Sequence, residues 1–172
     1  MFPAAPPLDT ARLRLVPLTM VDADEMAVVL GDPRMHEFTG GRPLPADELR
    51  ERYVRLAVGR SADGTERWCN WIVRSRAGGE AVGCVQATIP AQGGSGHLAW
   101  EIGVPWQGHG FASEAAAEVS GWLLAAGVTS FTAHIHPGHA ASSRVATRLG
   151  LAPTSEVVDG EVVWRRLASA VG

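Results

Sequence analysis

The segment with the clearest chemical potential is rich in glycine and stands between an apolar strand-like run and the most regular helical pattern of the chain. It reads Pro105-Trp106-Gln107-Gly108-His109-Gly110-Phe111-Ala112-Ser113. Small residues let a ligand approach the backbone closely. The first N–H groups of a helix have no partner within the helix, and the helix dipole favours an anion beside them. The segment therefore predicts a phosphate or pyrophosphate site.

A dinucleotide is one ligand that uses such a turn, but the spacing disfavours it. A dinucleotide-binding turn has the pattern Gly-x-Gly-x-x-Gly, with an acidic residue about twenty positions later at the end of the next strand. Here Ser113 stands in place of the third glycine, and the following strand ends in His134 and His136. Nothing beyond the glycines supports another nucleotide-phosphate module.

Three histidines have a spacing that metal sites also use. His134 and His136 fall on one face of a predicted strand, and His139 follows directly after it. No cysteine or acidic residue nearby completes a ligand set, so a polar cluster at a strand end is the favoured interpretation and no metal is expected. Cys69 and Cys84 lie in apolar strand-like runs without a CxxC pattern and are predicted to be buried thiols.

Composition excludes several classes of function. A formal net charge of −3 over 172 residues gives no overall positive field for nucleic acid or an anionic membrane. All 15 basic residues are arginines, so any side-chain cation that meets a phosphate is a guanidinium. The N-terminus lacks the basic start and apolar run of a signal peptide, and no apolar run is long enough to span a membrane. A cytoplasmic protein is expected.

Around the glycine-rich segment, the periodicities predict a mixed α/β chain that forms one domain over residues 1–172, with residues 1–9 as a flexible tail. Period-two patterns predict strands, and apolar residues at helical spacing predict helices. Three consecutive strands with short turns imply an antiparallel meander, and Asp159-Gly160 between valine-rich runs predicts a hairpin. The predicted strands are 11–18, 67–74, 81–89, 97–104 and 128–136, and the helices are 22–31, 45–59, 110–127 and 141–150.

The frame Gln107-x-x-Gly110-x-Ala112 resembles the pyrophosphate loop of the GNAT N-acetyltransferase superfamily. The resemblance is strengthened by the "WEIGV" strand before it and by the later segments "HPGHAASSR" and "LGL". It spans residues 10–167 in element order and looks closest to the RimJ/RimL-like branch. It implies an α+β fold with a mixed, mostly antiparallel sheet that is splayed at the middle and flanked by helices.

The resemblance also implies a coenzyme site for acetyl-CoA. In the family, pantetheine amides pair with the backbone of a strand that here ends in Glu101, Ile102, Gly103 and Val104, and Gly103 suits the family's bulge. Ser142 falls on the family serine near the departing sulfur. The other positions carried over for the coenzyme are Gln107, Gly108, His109, Gly110, Phe111, Ala112, Ser113, His139 and Arg144.

The chain departs from the family pattern at two positions, residues 139 and 146. His139 stands where the family usually has asparagine, and Ala146 stands where many relatives carry a tyrosine acid. Tyr53, the only tyrosine, is distant in sequence. Ser142 is therefore the first candidate to protonate the coenzyme A thiolate, and water is the alternative.

Glu101 is the candidate base, and four further residues are candidates for the acceptor site. Glu101 alternates away from Leu98, Trp100 and Ile102, so it is either a base acting through water or a solvated polar residue. An aromatic wall with one amide suits an amine acceptor. The acceptor candidates are Trp68 and Asn70 on one strand face, and His36 and Phe38 in an early loop.

The resulting hypothesis is direct transfer of acetyl from acetyl-CoA to a primary amine within a ternary complex. The acceptor is a small molecule or a peptide N-terminus, and the protein is a monomer or a homodimer. The alternative is a non-catalytic acyl-CoA-binding sensor, which His139 and the missing tyrosine motivate.

Overall fold

The structure is a computed structural model that describes residues 3–166. Its strands form one eight-stranded sheet in the order β1-β2-β3-β4-β5-β6-β8-β7. The strands are β1 Leu8–Asp9, β2 Leu13–Pro17, β3 Glu66–Ser75, β4 Ala81–Pro90, β5 Ser95–Ile102, β6 Ser130–Ile135, β7 Leu151–Val158 and β8 Glu161–Arg166. The helices are α1 Ala23–Val29, α2 Ala46–Ala57, α3 Phe111–Ala125 and α4 Ala140–Arg148.

The predicted fold class is confirmed. Strands β2 to β5 form the antiparallel meander, and α3 starts and ends within two residues of its predicted limits. At the predicted hairpin, Asp159 and Gly160 both have positive φ, 51° and 84°, as a two-residue turn between twisted strands requires. No helix among residues 3–166 is long and apolar enough to cross a membrane.

The segment predicted as a flexible tail is instead packed against the sheet from Pro6 to Asp9. Leu8–Asp9 pairs with β2, and the buried Trp71 ring donates from Nε1 to the Pro6 carbonyl at 2.7 Å. An indole N–H inside a core needs an acceptor, and the tail provides it. Residues 1 and 2 lie outside the described residues.

Helices cover both faces of the sheet and bury separate apolar clusters. On one face, α3 places Ala115, Val119 and Leu123 against side chains of β2 to β5. On the other face, α1 and α2 bury Met26 and Tyr53 against the opposite sides of β2, β3 and β4. Because α3 is anchored by its buried stripe, its N-terminus is held at the edge of the sheet where β5 ends.

The sheet splits between β5 and β6, which form the one parallel pair among the strands of residues 3–166. They pair only from Ser95–Ser130 to His97–Thr132. Beyond that point β5 stays paired with β4 as far as Ile102, while β6 stays paired with β8 as far as Ile135. The two halves therefore diverge, which is the splay that the family resemblance implies.

Gly103 does not form the bulge expected from the sequence. The register between β4 and β5 runs without a shift to the Gly83–Ile102 pair, and the Gly103 N–H donates to the Val82 carbonyl at 2.9 Å. A Cβ on Gly103 would lie 2.6 Å from the Val29 carbonyl oxygen and 3.0 Å from the Trp106 ring. Close approach of the end of α1, and not strand geometry, is what requires glycine here.

Replacement of Gly103 by alanine is expected to destabilise the fold by about 1–3 kcal/mol, since overpacking forces neighbouring backbone to move. The φ of Gly103 is −56°, so backbone strain adds nothing. Gly121→Ala is the matched control, because its Cβ would meet open space within α3 and should stabilise by about 0.5–1 kcal/mol. Urea unfolding measures both, and equal stability of Gly103→Ala and the parent would contradict the close-approach explanation.

Candidate active site

A cleft of about 1010 Å³ opens where the sheet splits. Both halves of the sheet, the loop that precedes α3 and the first turn of α4 contribute to its walls. Of the residues predicted for the coenzyme, those that line it are Ile102, Val104, Gln107, Gly108, Gly110, Phe111, Ala112, Ser113, His139, Ser142 and Arg144. The carboxyl ends of β5 and β6 thus bring the distant segments 101–113 and 139–144 to one site.

The glycine-rich loop has the backbone geometry of an anion site. Gly108 and Gly110 both have φ near 80°, in the left-handed region, and Gly110 precedes the first residue of α3. The first hydrogen bond of the helix runs from the Glu114 N–H to the Gly110 carbonyl. The N–H groups of Phe111, Ala112 and Ser113 therefore have no acceptor within the helix and are available to a phosphate.

Side chains hold this loop in place from both ends. The Gln107 amide donates to the Ile102 carbonyl at 2.9 Å, which ties the loop to the end of β5. Arg12 donates to the His109 carbonyl at 3.0 Å and pairs with Glu114 at 2.6 Å, with its guanidinium 4.8 Å above the Phe111 ring. Gln107 thus shapes the loop through its side chain, while the backbone is left for a ligand.

The unpaired edge of β5 supplies a second set of backbone groups. Since the Gly103 N–H points to β4, strand alternation directs the N–H groups of Trp100 and Ile102 toward β6. These residues lie beyond the last β5–β6 pair, so the described strands offer them no ladder partner. An extended ligand that carries amides can pair with this edge as a further strand would.

His139, at the position where the family usually has asparagine, is the N-cap of α4. Its Nδ1 accepts from the Ser142 N–H at 3.3 Å, so in the neutral ring the proton resides on Nε2. That nitrogen lies 3.3 Å from Ser142 Oγ. Burial lowers the pKa of His139, which keeps the ring neutral. With Nε2–H donating to Oγ, the Ser142 hydroxyl proton is free to point into the cleft.

Among the acceptor candidates, only Phe38 lines the cleft. Its ring packs 4.7 Å from that of His139, and so covers the start of α4. His36 holds its own loop through a 3.1 Å contact from Nδ1 to the Gly40 carbonyl, and Trp68 donates to Glu66. Asn70 is buried on β3, one strand away from the cleft, and its Nδ2 has no hydrogen-bond partner among residues 3–166.

Glu101 lines the cleft and lies directly opposite Cys84 on β4. The Cys84 thiol is within 3.5 Å of the Glu101 carboxylate. Burial, followed by the charge of Glu101, raises the pKa of Cys84 well above its usual value, so the thiol stays protonated and acts as a donor. Tyr53 is buried in the same cluster, where burial also raises its pKa.

Gly103 and His109 are the two coenzyme candidates that do not line the cleft. Gly103 is confined by α1, and His109 turns its Nδ1 to the Trp106 carbonyl at 3.1 Å. Their backbones still belong to the strand end and the loop. The sequence missed several polar cleft residues, namely Arg34, Arg52, Gln86, His97 and Arg148, and it identified His134 only as part of a polar cluster at a strand end. Alternation from Glu101 could have identified His97 as a residue on the same strand face.

The described residues contain no group of three or more His, Cys, Asp or Glu side chains arranged to hold a metal ion. His134, His136 and His139 in particular are separated by their other contacts. His134 packs edge-on against His97 with ring centroids 4.5 Å apart, whereas His136 accepts from the Gly138 N–H and lies beside Phe38.

The geometry defines a protein that can hold a ligand bearing both phosphate and amide groups across a split sheet. The sequence matches the Acetyltransferase (GNAT) domain over residues 12–152. The chain therefore belongs to the GNAT acetyltransferases.

Three solved structures with the same fold are similar to the chain. RimL, a ribosomal-protein alpha-N-acetyltransferase in complex with coenzyme A, has a TM-score of 0.78 at 14% identity, covering 95% of this chain and 99% of that one. MccE, a microcin self-immunity acetyltransferase in complex with acetyl-CoA and AMP, has a TM-score of 0.75 at 11% identity, covering 92% and 94%. An acetyltransferase from Agrobacterium tumefaciens has a TM-score of 0.72 at 22% identity, covering 98% of each chain. No curated protein matches the sequence.

Replacement of Gly110 by alanine should weaken acetyl-CoA binding by about tenfold or more, equivalent to roughly 1.4 kcal/mol. The left-handed φ of 80° strains any residue with a Cβ, and movement of the loop would misdirect the N–H groups of residues 111–113. Isothermal titration calorimetry measures the affinity.

Gly127→Ala is the matched control for this prediction. Gly127 also has a left-handed φ, 95°, and ends the same helix at its opposite terminus, where a Cβ would meet nothing within 4 Å. It should carry a similar stability cost and leave acetyl-CoA affinity intact. Equal affinities in the two variants would show that the loop does not bind the coenzyme.

Proposed function

We propose that the protein transfers an acetyl group from acetyl-CoA to a primary amine by direct attack within a ternary complex. The observation that carries the proposal is the convergence of three features on one cleft. They are the unpaired edge of β5, the left-handed glycine loop before α3, and the Ser142 hydroxyl at the start of α4. Membership in the GNAT acetyltransferases supports acetyl transfer, and the coenzyme complexes of RimL and MccE support acetyl-CoA as the donor.

The residues present fit the coenzyme along its length. The N–H groups of residues 111–113 suit its pyrophosphate, and Arg144 and Arg148 line the same part of the cleft, where their guanidinium groups suit its phosphates. The Arg148 guanidinium donates a hydrogen bond to Ser113 Oγ at 3.2 Å, which restrains its side chain. The Trp100 and Ile102 N–H groups suit the pantetheine carbonyls, or the oxyanion that forms when the amine attacks.

A covalent enzyme intermediate is not part of the proposed reaction. Cys84 is the cysteine that lines the cleft, and burial holds its pKa well above the usual range, so it is not a thiolate near neutral pH. Burial also raises the pKa of Cys69, to about 11. The charges of Arg67 near Cys69 and of Arg52 near Cys84 act to lower these pKa values, but burial outweighs them at both thiols.

The proposed acceptor is a primary amine on a peptide N-terminus or a small molecule. RimL is a ribosomal-protein acetyltransferase, which favours a peptide. Four carboxylates line the cleft, Glu37, Glu101, Asp159 and Glu161, and they would attract an acceptor that arrives as an ammonium ion. Glu101 is the proposed base, because it shares the cleft face of β5 with Ala99 and acts through an ordered water.

A panel of amines tests the function as a whole. Peptides with free N-termini, amino acids, polyamines and aminoglycosides are supplied with acetyl-CoA, and release of free thiol is followed with product mass. Amine-dependent release with N-acetylated product is the expected result. Binding of acetyl-CoA without transfer to any amine would instead identify an acyl-CoA sensor.

Replacement of Ser142 by alanine should lower kcat by about tenfold or more while the acetyl-CoA KM changes little. The hydroxyl is expected to donate to sulfur as the thiolate leaves, so the contact strengthens only as charge develops. Ser143→Ala is the control, since the Ser143 hydroxyl donates to the His139 carbonyl at 3.2 Å and does not line the cleft. Equal kcat values in the two variants would assign the proton to water.

Replacement of Glu101 by glutamine should lower kcat near neutral pH by about 10²-fold or more, the contribution typical of a positioned base. Part of the rate should return at high pH, where the free amine loses its proton unaided. Glu37→Gln removes the same charge from another wall of the cleft and controls for a general field effect. A pH–rate profile of Glu101→Gln that matches the parent would rule out its role.

A further inference from the structure

Two histidines lie at the point where the sheet splits, and neither takes part in the steps assigned to Glu101 and Ser142. His97 is the last residue of β5 to pair with β6, and His134 lies two residues beyond its partner Thr132. Their rings meet edge to face, with centroids 4.5 Å apart, and both line the cleft. The pair therefore closes the inner end of the cleft.

The ring of His97 is held in a defined position. Its Nδ1 lies 3.4 Å from Thr132 Oγ1 on β6. The ring of His134, also on β6, packs against it in a T-shaped arrangement. Burial, and then the proximity of His134, lower the pKa of His97. Both causes favour the neutral imidazole near pH 7, which has a free lone pair and can accept a proton.

His97 and Glu101 stand on the same face of β5, on either side of Ala99. Each is two residues from Ala99, which corresponds to about 7 Å along the strand. Ala99 lines the cleft, and its methyl group leaves room between the two longer side chains. An amine that enters this space has a carboxylate on its outer side and a neutral imidazole on its inner side.

We propose that His97, paired with His134, takes up the proton that Glu101 draws from the acceptor amine through the water between them. The inference rests on the proposed acetyl transfer and names the final acceptor of its proton. His97 is a catalytic residue in this scheme, and Thr132 and His134 are positioning residues.

The proton balance of the step is complete. The ammonium ion gives its first proton through water to the Glu101 carboxylate, which passes it through water to the free nitrogen of His97. The lone pair of the amine then forms the new bond to the acetyl carbon, the second proton leaves the nitrogen to a water, and the bond from that carbon to sulfur breaks. The thiolate takes a proton from Ser142, which that water reprotonates, or from that water directly, and His97 returns its proton to solvent through the cleft.

Burial and the charged groups around the two histidines decide whether the pKa of His97 rises or falls. Glu66 on β3 opposes the fall in the pKa of His97, but burial and His134 outweigh it. Arg165 on β8 pairs in register with Thr132, and its charge is matched by Glu156. Activity that needs neutral His97 is therefore full at neutral pH, and is lost as pH falls through a value below the usual 6.5.

The test combines an activity profile with a titration that does not depend on activity. His97→Gln should lower kcat by about tenfold or more near neutral pH, with acetyl-CoA affinity unchanged, and the ratio of parent to variant rates should fall toward one below the pKa of His97. His134→Gln should move the acid limb of the profile to higher pH. Histidine ring NMR of the parent, assigned by comparison with His97→Gln, should show His97 titrating below 6.5.

The outcomes separate this inference from the proposed function. A parent that acetylates amines, together with a His97→Gln variant that keeps the parent's rate and pH profile, would overturn the inference alone. An acid limb unmoved in His134→Gln, or a His97 ring that titrates above 6.5, would overturn it as well. A parent inactive toward every amine would overturn the proposed function and this inference together.

Discussion

Separation of β5 from β6 is the constraint on which the rest of the site depends. A strand inside a sheet normally has ladder partners on both sides, and an unpaired buried N–H or C=O is costly. Here β5 loses its second neighbour after His97 although the sheet continues beyond β6. The cost is acceptable because β4 and β8 hold the two halves apart, and because a ligand with its own amides can complete the ladder.

The loop that follows β5 continues the same arrangement. The Gln107 side chain donates to the end of the strand, and Arg12, which precedes β2, donates to the His109 carbonyl. These contacts turn the loop so that backbone N–H groups of the first turn of α3 face the open end of the split. One extended ligand can then contact the strand edge with its amides and the helix N-terminus with its phosphates.

Two residues of the α4 region, His139 and Ala146, differ from those usual in the family. His139 caps the helix with its imidazole and lies within hydrogen-bond distance of Ser142. Ala146 is buried and cannot supply an acid. The single tyrosine is enclosed in a core between helices and sheet, whereas Ser142, Glu101 and several imidazoles line the cleft.

Local sequence patterns predict most of the helices, strands and turns. The features that the sequence did not predict depend on contacts between residues that are distant in the chain. The α3 start at Gly110 and the turn at Asp159-Gly160 depend on a few neighbouring residues, so the sequence predicts both. The need for glycine at position 103 depends on Val29, which is about seventy positions away in the sequence. The position of Pro6 depends on its hydrogen bond from the Trp71 indole. Alternation along β3 correctly grouped Trp68 with Asn70, but it could not show that β4 separates both from the cleft. The meeting of His97 with His134 required the parallel pairing of β5 with β6.

Hydrogen exchange of backbone amides with and without acetyl-CoA tests most directly whether the split sheet is the coenzyme site. The N–H groups of Trp100 and Ile102, on the free edge of β5, and those of residues 111–113 should become protected on binding. The Gly103 N–H, already bonded to Val82, should change little and provides an internal reference. Protection that appears elsewhere, with exchange at these amides unchanged, would contradict the account.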